Sequence, residues 1–220
     1  QVPDLITQLT RSEGLLDKSS EYHVHFGHYK QSGNGATHVD FPSQPDSIVS
    51  SEGIQFELSI VDYDSDDQLD LISPSFELGV GSIIASLFSS SADLDVTFHS
   101  LGKDNRYSSK PDYEKELTVD FDLGSGQQVY PLFKVSDFDG DGRNDLLLGH
   151  ESKKLYIHQG TNGKRLFKKR PQKIPFKLPQ NGQLVAVKDI NLDGKSDLVI
   201  RYSKLDGGDL HKQISLLLSN

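Results

Sequence analysis

Cysteine, methionine and tryptophan are all absent from the 220 residues. Without cysteine there is no disulfide framework, no zinc–thiolate site and no thiol nucleophile. Long apolar runs are missing too: nothing approaches the roughly 20 residues that a membrane helix needs, so no membrane span is expected. A basic surplus is also lacking. Lys and Arg number 23 against 32 Asp and Glu, for a net charge of −9 and a pI near 5.3, which argues against non-specific nucleic-acid binding. The opening Gln1-Val2-Pro3-Asp4 has neither an initiator methionine nor a hydrophobic signal core, so a processed or trimmed piece is expected. There is no Gly-x-Ser-x-Gly elbow, His-Glu-x-x-His helix or phosphate loop, and the chain is not expected to be an enzyme.

What remains is an ordinary globular composition, 35% hydrophobic and 25% charged, with chain enough for one large domain or two small ones. Much of the acid falls in short, spaced clusters that align without gaps. These are Val61-Asp62-Tyr63-Asp64-Ser65-Asp66-Asp67-Gln68-Leu69-Asp70-Leu71-Ile72, Ser136-Asp137-Phe138-Asp139-Gly140-Asp141-Gly142-Arg143-Asn144-Asp145-Leu146-Leu147 and Lys188-Asp189-Ile190-Asn191-Leu192-Asp193-Gly194-Lys195-Ser196-Asp197-Leu198-Val199. Each reads D-x-[DN]-x-D-[GD]-x-x-D and then two aliphatics. Val2-Pro3-Asp4-Leu5-Ile6 matches the end of the same pattern, so the closing Asp recurs at 4, 70, 145 and 197.

Between the clusters the pattern is that of strands. Lys154–His158, Arg165–Phe167 and Gln183–Val187 read as short strands, with a turn at Thr161-Asn162-Gly163-Lys164, because Asn-Gly supplies the positive φ of tight hairpins. About four strands per unit suggest an antiparallel meander, which must stack on its neighbours to hide both faces. Residues 79–115 read as an insertion. Within it Gly81–Phe88 could form one or two helical turns, Leu94–His99 resumes strand alternation, and Gly102–Lys115 is an exposed loop or hairpin tip. No interdomain linker is evident.

The clusters have the chemistry of a calcium loop. Calcium takes six to eight oxygen ligands, and carboxylates at alternate positions of a short loop can wrap it. Positions 1, 3, 5 and 9 are Asp137, Asp139, Asp141 and Asp145, with the carbonyl of Arg143 at position 7 and Gly142 in the turning position. The same logic gives Asp189, Asn191, Asp193, the carbonyl of Lys195 and Asp197, and also Asp62, Asp64, Asp66, the carbonyl of Gln68 and Asp70, with Asp67 where the others have glycine. Carboxylates crowded this closely repel one another and call for a cation. An EF-hand is excluded, since its loop has twelve residues and a terminal Glu between helices, whereas these loops close at position 9 and run into strands.

These motifs resemble the FG-GAP or VCBS-type repeats of integrin-alpha-like β-propellers, and the resemblance extends over nearly the whole chain. It implies an all-β fold, a β-propeller fragment of about four consecutive four-stranded antiparallel blades. The expected division is a partial blade over 1–61, a blade over 62–136 carrying the insertion 79–115, a blade over 137–188 and a partial blade over 189–220. In the family the loop joins a blade's first two strands and binds Ca2+. Gln213–Leu218 resembles only a third strand, so the last blade lacks its outer one. The implied function is a calcium-stabilised binding or adhesion module of an exported, cell-surface or periplasmic protein, with a protein or glycan ligand and the remaining blades of the parent chain as partners. The alternative is a non-catalytic carbohydrate-binding or scaffold domain of a larger polysaccharide-active enzyme or toxin.

Two features stand apart from the repeat. His23 and His25 of Tyr22-His23-Val24-His25-Phe26-Gly27-His28 share a face in a strand and could bind zinc, but spacing fixes no third ligand. Lys164, Arg165, Lys168, Lys169, Arg170, Lys173 and Lys177 either contact an acidic glycan or phosphate, or form the solvated edge of an outer strand, where lysine discourages edge-to-edge pairing.

Overall fold

The computed structural model describes residues 2–12, 18–55, 58–76, 91–120, 130–150, 152–162 and 165–219. The expected helical turn at 81–88 lies outside them. The fold is all-β, built from antiparallel sheets. Among the described residues no helix is long and apolar enough to cross a membrane. Contacts divide the chain into two compact units. The first is Gln1–Ile60, Asp70–Val80 and Asp95–Lys115; the second is Val61–Leu69, Gly81–Leu94 and Glu116–Asn220.

The strands of the first half are β1 (Leu5–Ser12), β2 (Lys18–His25), β3 (His28–Gln31), β4 (Thr37–Asp40), β5 (Ser47–Glu52), β6 (Ile54–Gln55), β7 (Ser59–Val61), β8 (Asp70–Phe76), β9 (Ser91–His99) and β10 (Tyr113–Asp120). They form a sheet of order β1-β2-β5, a β3-β4 hairpin, and a sheet of order β10-β9-β8-β6 in which β7 also pairs with β8. Alternation sets the buried face. Ser20, Tyr22 and Val24 of β2 are buried and stand opposite Ser51, Val49 and Ser47 of β5, as a period of two residues requires. Tyr22, Val24 and Val49 share a core with Leu71 and Tyr107. Burial among them, reinforced by the charges of Asp70 and Asp4, pushes the Tyr107 phenol up to about 12.

The rest of the chain adds β11 (Phe133–Ser136), β12 (Asp145–His150), β13 (Lys154–His158) and β14 (Gln172–Pro175), then β15 (Val185–Lys188), β16 (Asp197–Arg201) and β17 (Ile214–Leu217). The sheets run β11-β12-β13-β14 and β15-β16-β17. Leu147 and Leu155 of the first sheet meet Val185, Leu198 and Ile200 of the second in one core, with Leu132, Phe138, Leu178 and Tyr202. Because β12 lies inside its sheet, its Leu146-Leu147-Leu148 run is buried throughout, a continuous apolar segment covered on both faces.

Three strand expectations shift. Arg165–Phe167 is not a full strand among the described residues: Phe167 makes a single bridge to Gly160 and the Leu166 carbonyl accepts the Thr161 N–H, and the fourth strand is β14, inside the basic stretch. Gln183 and Leu184 belong to a 3-10 turn, so the strand expected from Gln183 begins at Val185. Tyr113–Lys115, expected in a loop, opens β10.

His99, at the end of β9, carries a pH prediction. It is fully buried, and its Nδ1 lies 2.8 Å from the Ser108 carbonyl. A carbonyl only accepts, so Nδ1 carries the proton, and Nε2 has no hydrogen-bond partner among the described residues. Burial holds the imidazole below its usual range, against the opposing Ser108 bond and the charges of Asp112 and Glu114. The unfolded chain takes up this proton near pH ~6.5, so the stability it contributes is present above that pH and is lost as pH falls toward the lower folded value. Unfolding measured between pH 7 and 5 should show this loss, and His99→Asn, which keeps a donor near Ser108 but cannot titrate, should flatten it. An unchanged slope would refute the assignment.

Candidate metal centre

Each loop wraps on its own position-1 carboxylate. Asp62 accepts the backbone N–H groups of Ser65 (2.6 Å), Asp66 (3.1 Å) and Asp67 (3.0 Å). Asp137 accepts those of Gly140 (2.7 Å) and Gly142 (2.8 Å), and Asp189 those of Asp193 (3.2 Å) and Gly194 (3.0 Å). The position-5 carboxylate then accepts the position-7 N–H: Gln68 to Asp66, Arg143 to Asp141 and Lys195 to Asp193, at 2.9, 3.0 and 2.9 Å. Position 6 is left-handed throughout, with φ 67° at Asp67, 82° at Gly142 and 85° at Gly194. Position 4 is left-handed as well, at Ser65 (64°), Gly140 (78°) and Leu192 (61°), a position where only the second loop has glycine.

The carboxylates gather differently in each loop. Oxygens of Asp137, Asp139 and Asp141 all lie within 4.8 Å of one another, as do those of Asp62, Asp64 and Asp70. Asp66 takes both the backbone and side-chain amides of Gln68, while Asp141 pairs with the Arg143 guanidinium and Asp139 accepts from Gln159. In the third loop the amide of Asn191 donates to Asp193 at 3.0 Å, and no three carboxylates come as close together there among the described residues. The donor set is all hard oxygen, which suits calcium or magnesium and not thiophilic metals.

The position-9 carboxylate has a further task. Asp145 is fully buried and accepts the N–H of Phe138 (3.0 Å) from its own loop and that of Gly160 (2.7 Å) from beyond β13. Asp197, equally buried, accepts from Ile190 (2.9 Å) and from Ser219 (2.9 Å) beyond β17. Asp70 accepts from Leu101 (2.9 Å) and Asp4 from Gly27 (3.0 Å). In all four copies the distal donor lies two residues past the end of the strand that follows the Asp's own: β2 ends at His25, β9 at His99, β13 at His158 and β17 at Leu217. The carboxylate is thus a staple closing a pair of strands. The carbonyl before the staple crowds its donor: a Cβ on Gly27 would stand 2.1 Å from the Pro3 oxygen, and one on Gly160 2.5 Å from that of Asn144.

In three of the copies the residue two before the donor is histidine, and its Nδ1 reaches a later carbonyl: His25 to Pro42 (2.9 Å), His99 to Ser108 (2.8 Å) and His158 to Lys168 (2.8 Å). Nδ1 of His25 is therefore a donor tying down a loop. His23 sits 3.2 Å from Glu21. The recurring His-x-[Gly/Leu] was present in the sequence, but it follows its Asp at unequal distances and so escapes a gapless alignment.

Within the second unit the loops are also linked to one another. The side chain of Asn144, position 8 of the second loop, donates to the carbonyl of Asp62, position 1 of the first, and the backbone N–H of Asn144 reaches the Ser65 hydroxyl at 3.3 Å. Position 8 of the third loop repeats this: the N–H of Ser196 donates to the Asp137 carbonyl at 2.8 Å, and the Ser136 and Ser196 hydroxyls lie 2.6 Å apart.

Electrostatically the second and third staples differ. Burial, helped by the charges of Asp139 and Asp137 and opposed by the N–H bonds from Gly160 and Phe138, pushes Asp145 up to about 6. Asp197 is held below the usual range by the N–H groups of Ile190 and Ser219. The second loop is therefore relieved by a cation more than the third.

A left-handed L-residue costs roughly 1–2 kcal/mol, less for Asp. Leu192→Gly, at a side chain 86% exposed, should therefore raise stability by up to about 1 kcal/mol, and Asp67→Gly should strengthen calcium binding at the first loop by at most about fivefold. Urea unfolding and calcium titration are the respective tests, and unchanged values would show that neither position stores strain.

Residues 137–200 match the family model of the FG-GAP-like repeat. The matched span contains the second and third loops and runs to Ile200 in β16. No curated protein matches the chain.

Proposed function

We propose that the chain is a calcium-stabilised β-propeller region serving as a non-catalytic binding or adhesion module of an exported, cell-surface or periplasmic protein. The observation that carries this reading is the in-register recurrence of loop, left-handed positions 4 and 6 and buried staple, together with the FG-GAP-like match over 137–200. Calcium would be held by Asp62, Asp64, Asp66, Asp70 and the Gln68 carbonyl; by Asp137, Asp139, Asp141, Asp145 and the Arg143 carbonyl; and by Asp189, Asn191, Asp193, Asp197 and the Lys195 carbonyl. The ion supplies the positive charge that the crowded carboxylates lack, so the strand after each loop leaves in a fixed register. Millimolar extracellular calcium suits sites of this kind.

Further blades of the parent chain are the proposed structural partners. Ile214, Leu216 and Leu218 are 65%, 56% and 50% exposed along the edge strand β17, an apolar row that another sheet would cover. The test is calorimetric titration of chelator-stripped protein with calcium: at least two sites are expected, and fewer than two would overturn the reading. The alternative, a carbohydrate-binding or scaffold domain of a larger polysaccharide-active protein, is favoured by one observation, the uniformly cationic edge around β14.

A further inference from the structure

We propose that the cationic stretch 152–188, centred on β14, binds a linear acidic polysaccharide. This gives the module a glycan ligand, which both the binding-module reading and its carbohydrate-binding alternative allow, and rests on the chain being a non-catalytic binding module. From Ser152 to Lys188 the sequence holds ten Lys and Arg and no Asp or Glu, in a chain whose net charge is −9. So concentrated a run is a polyanion footprint.

The structure lines these charges up. β14 is the outer strand of its sheet, and Lys173 on it stands opposite Tyr156 of β13. The N–H of Phe176 donates to the Lys153 carbonyl, which brings Lys177 and Lys153 to one end of the edge, and the N–H of Lys168 donates to the Gln159 carbonyl at the other. Lys168 to Lys177 can thus span up to roughly 30 Å, the reach of a chain of several sugars and not of one phosphate. Lys153, Arg165, Lys168, Lys169, Arg170, Lys173 and Lys177 are all exposed. None meets a carboxylate among the described residues: Lys168 donates to Gln159, and Lys173 lies over the Tyr156 ring. Elsewhere Arg11, Lys30 and Lys212 each have an acid partner. The cations along this edge therefore leave their counter-charge to be supplied from outside.

Protection of an exposed strand edge does not account for the pattern. The other sheet ends at β10, Tyr-Glu-Lys-Glu-Leu-Thr-Val-Asp, whose charges are mixed and mainly acidic. Edge protection needs charge of either sign, whereas an acidic polymer needs one sign. Nucleic acid fits less well. Tyr156 is stacked on His150 at 4.8 Å and capped by Lys173, Phe167 is buried and Phe176 packs against the core, so these rings offer no free face for a base.

The test is binding of the full chain to a sulfated glycosaminoglycan, a polyuronate, a neutral glucan, polyglutamate and duplex DNA, at low and raised salt. Binding to one or both acidic polysaccharides, weakened by salt and absent for the glucan, is expected, and the sulfate and carboxylate arms tell which anion is preferred. The triple variant Lys168→Glu, Lys169→Glu, Arg170→Glu should weaken binding by about tenfold or more, and Lys169→Gln with Lys173→Gln should weaken it less, in case the triple variant misfolds. Lys204→Glu should leave it unchanged. No binding, equal binding by both sets of variants, or preference for DNA or polyglutamate would overturn the proposal. Calcium titration of the same samples separates this failure from failure of the metal-binding reading.

Discussion

Asp145→Ala should destabilise the second unit by about 2–4 kcal/mol even with every metal ion removed. The substitution strands the buried N–H groups of Phe138 and Gly160, and each unsatisfied buried donor costs roughly 1–3 kcal/mol. Part of that loss is offset, because a carboxyl that burial has pushed up to about 6 is itself under strain when charged. Asp145→Asn keeps one acceptor and should lose about half as much. Urea unfolding in chelator is the decisive measurement. If the alanine variant is destabilised only when calcium is present, Asp145 is a metal ligand alone and the staple does not exist.

Removing calcium from the proposed sites is expected to have the second large effect. An ion that binds only the folded state adds about 2.7 kcal/mol per site when present at a hundredfold its Kd. For a chain of this length each 1 kcal/mol moves Tm by about 2–4 °C, so emptying one such site should lower the melting temperature by about 5–10 °C. Asp141→Ala should reproduce most of the loss belonging to its loop. Melting curves unchanged by both chelator and Asp141→Ala would reduce the loops to solvated turns.

Much of this was legible in the sequence because ligand chemistry is periodic along the chain. A carboxylate at every second position, then aliphatics, marks both the loop and the strand it feeds, and Asp4 is recognisable as the closing position of the pattern from the aliphatics that follow it. The left-handed state of Asp67 followed from its alignment with Gly142 and Gly194, and its φ of 67° agrees. Leu192 was invisible to the same reasoning, since nothing about a leucine announces positive φ. The links between loops were hidden for another reason. Asn144 and Ser196 share position 8 but not chemistry, one using its side chain and the other its backbone. β14 was missed as a strand because its Gln-Lys-Ile-Pro sequence has almost no apolar alternation, and only pairing with β13 defines it.

The staple also separates architecture from length. The residues joining each pair of stapled strands number from three, at 151–153 between β12 and β13, to fourteen, at 77–90 between β8 and β9, with 13–17 and 202–213 in the other two copies. Every one of these pairs is closed by the same carboxylate at the same offset. Closing fourteen residues in place of three costs only about 1.4 kcal/mol of chain entropy, comparable with what one charge-assisted hydrogen bond, such as that from Leu101 to Asp70, returns. The connectors are therefore free to lengthen and diverge while the sheets stay put.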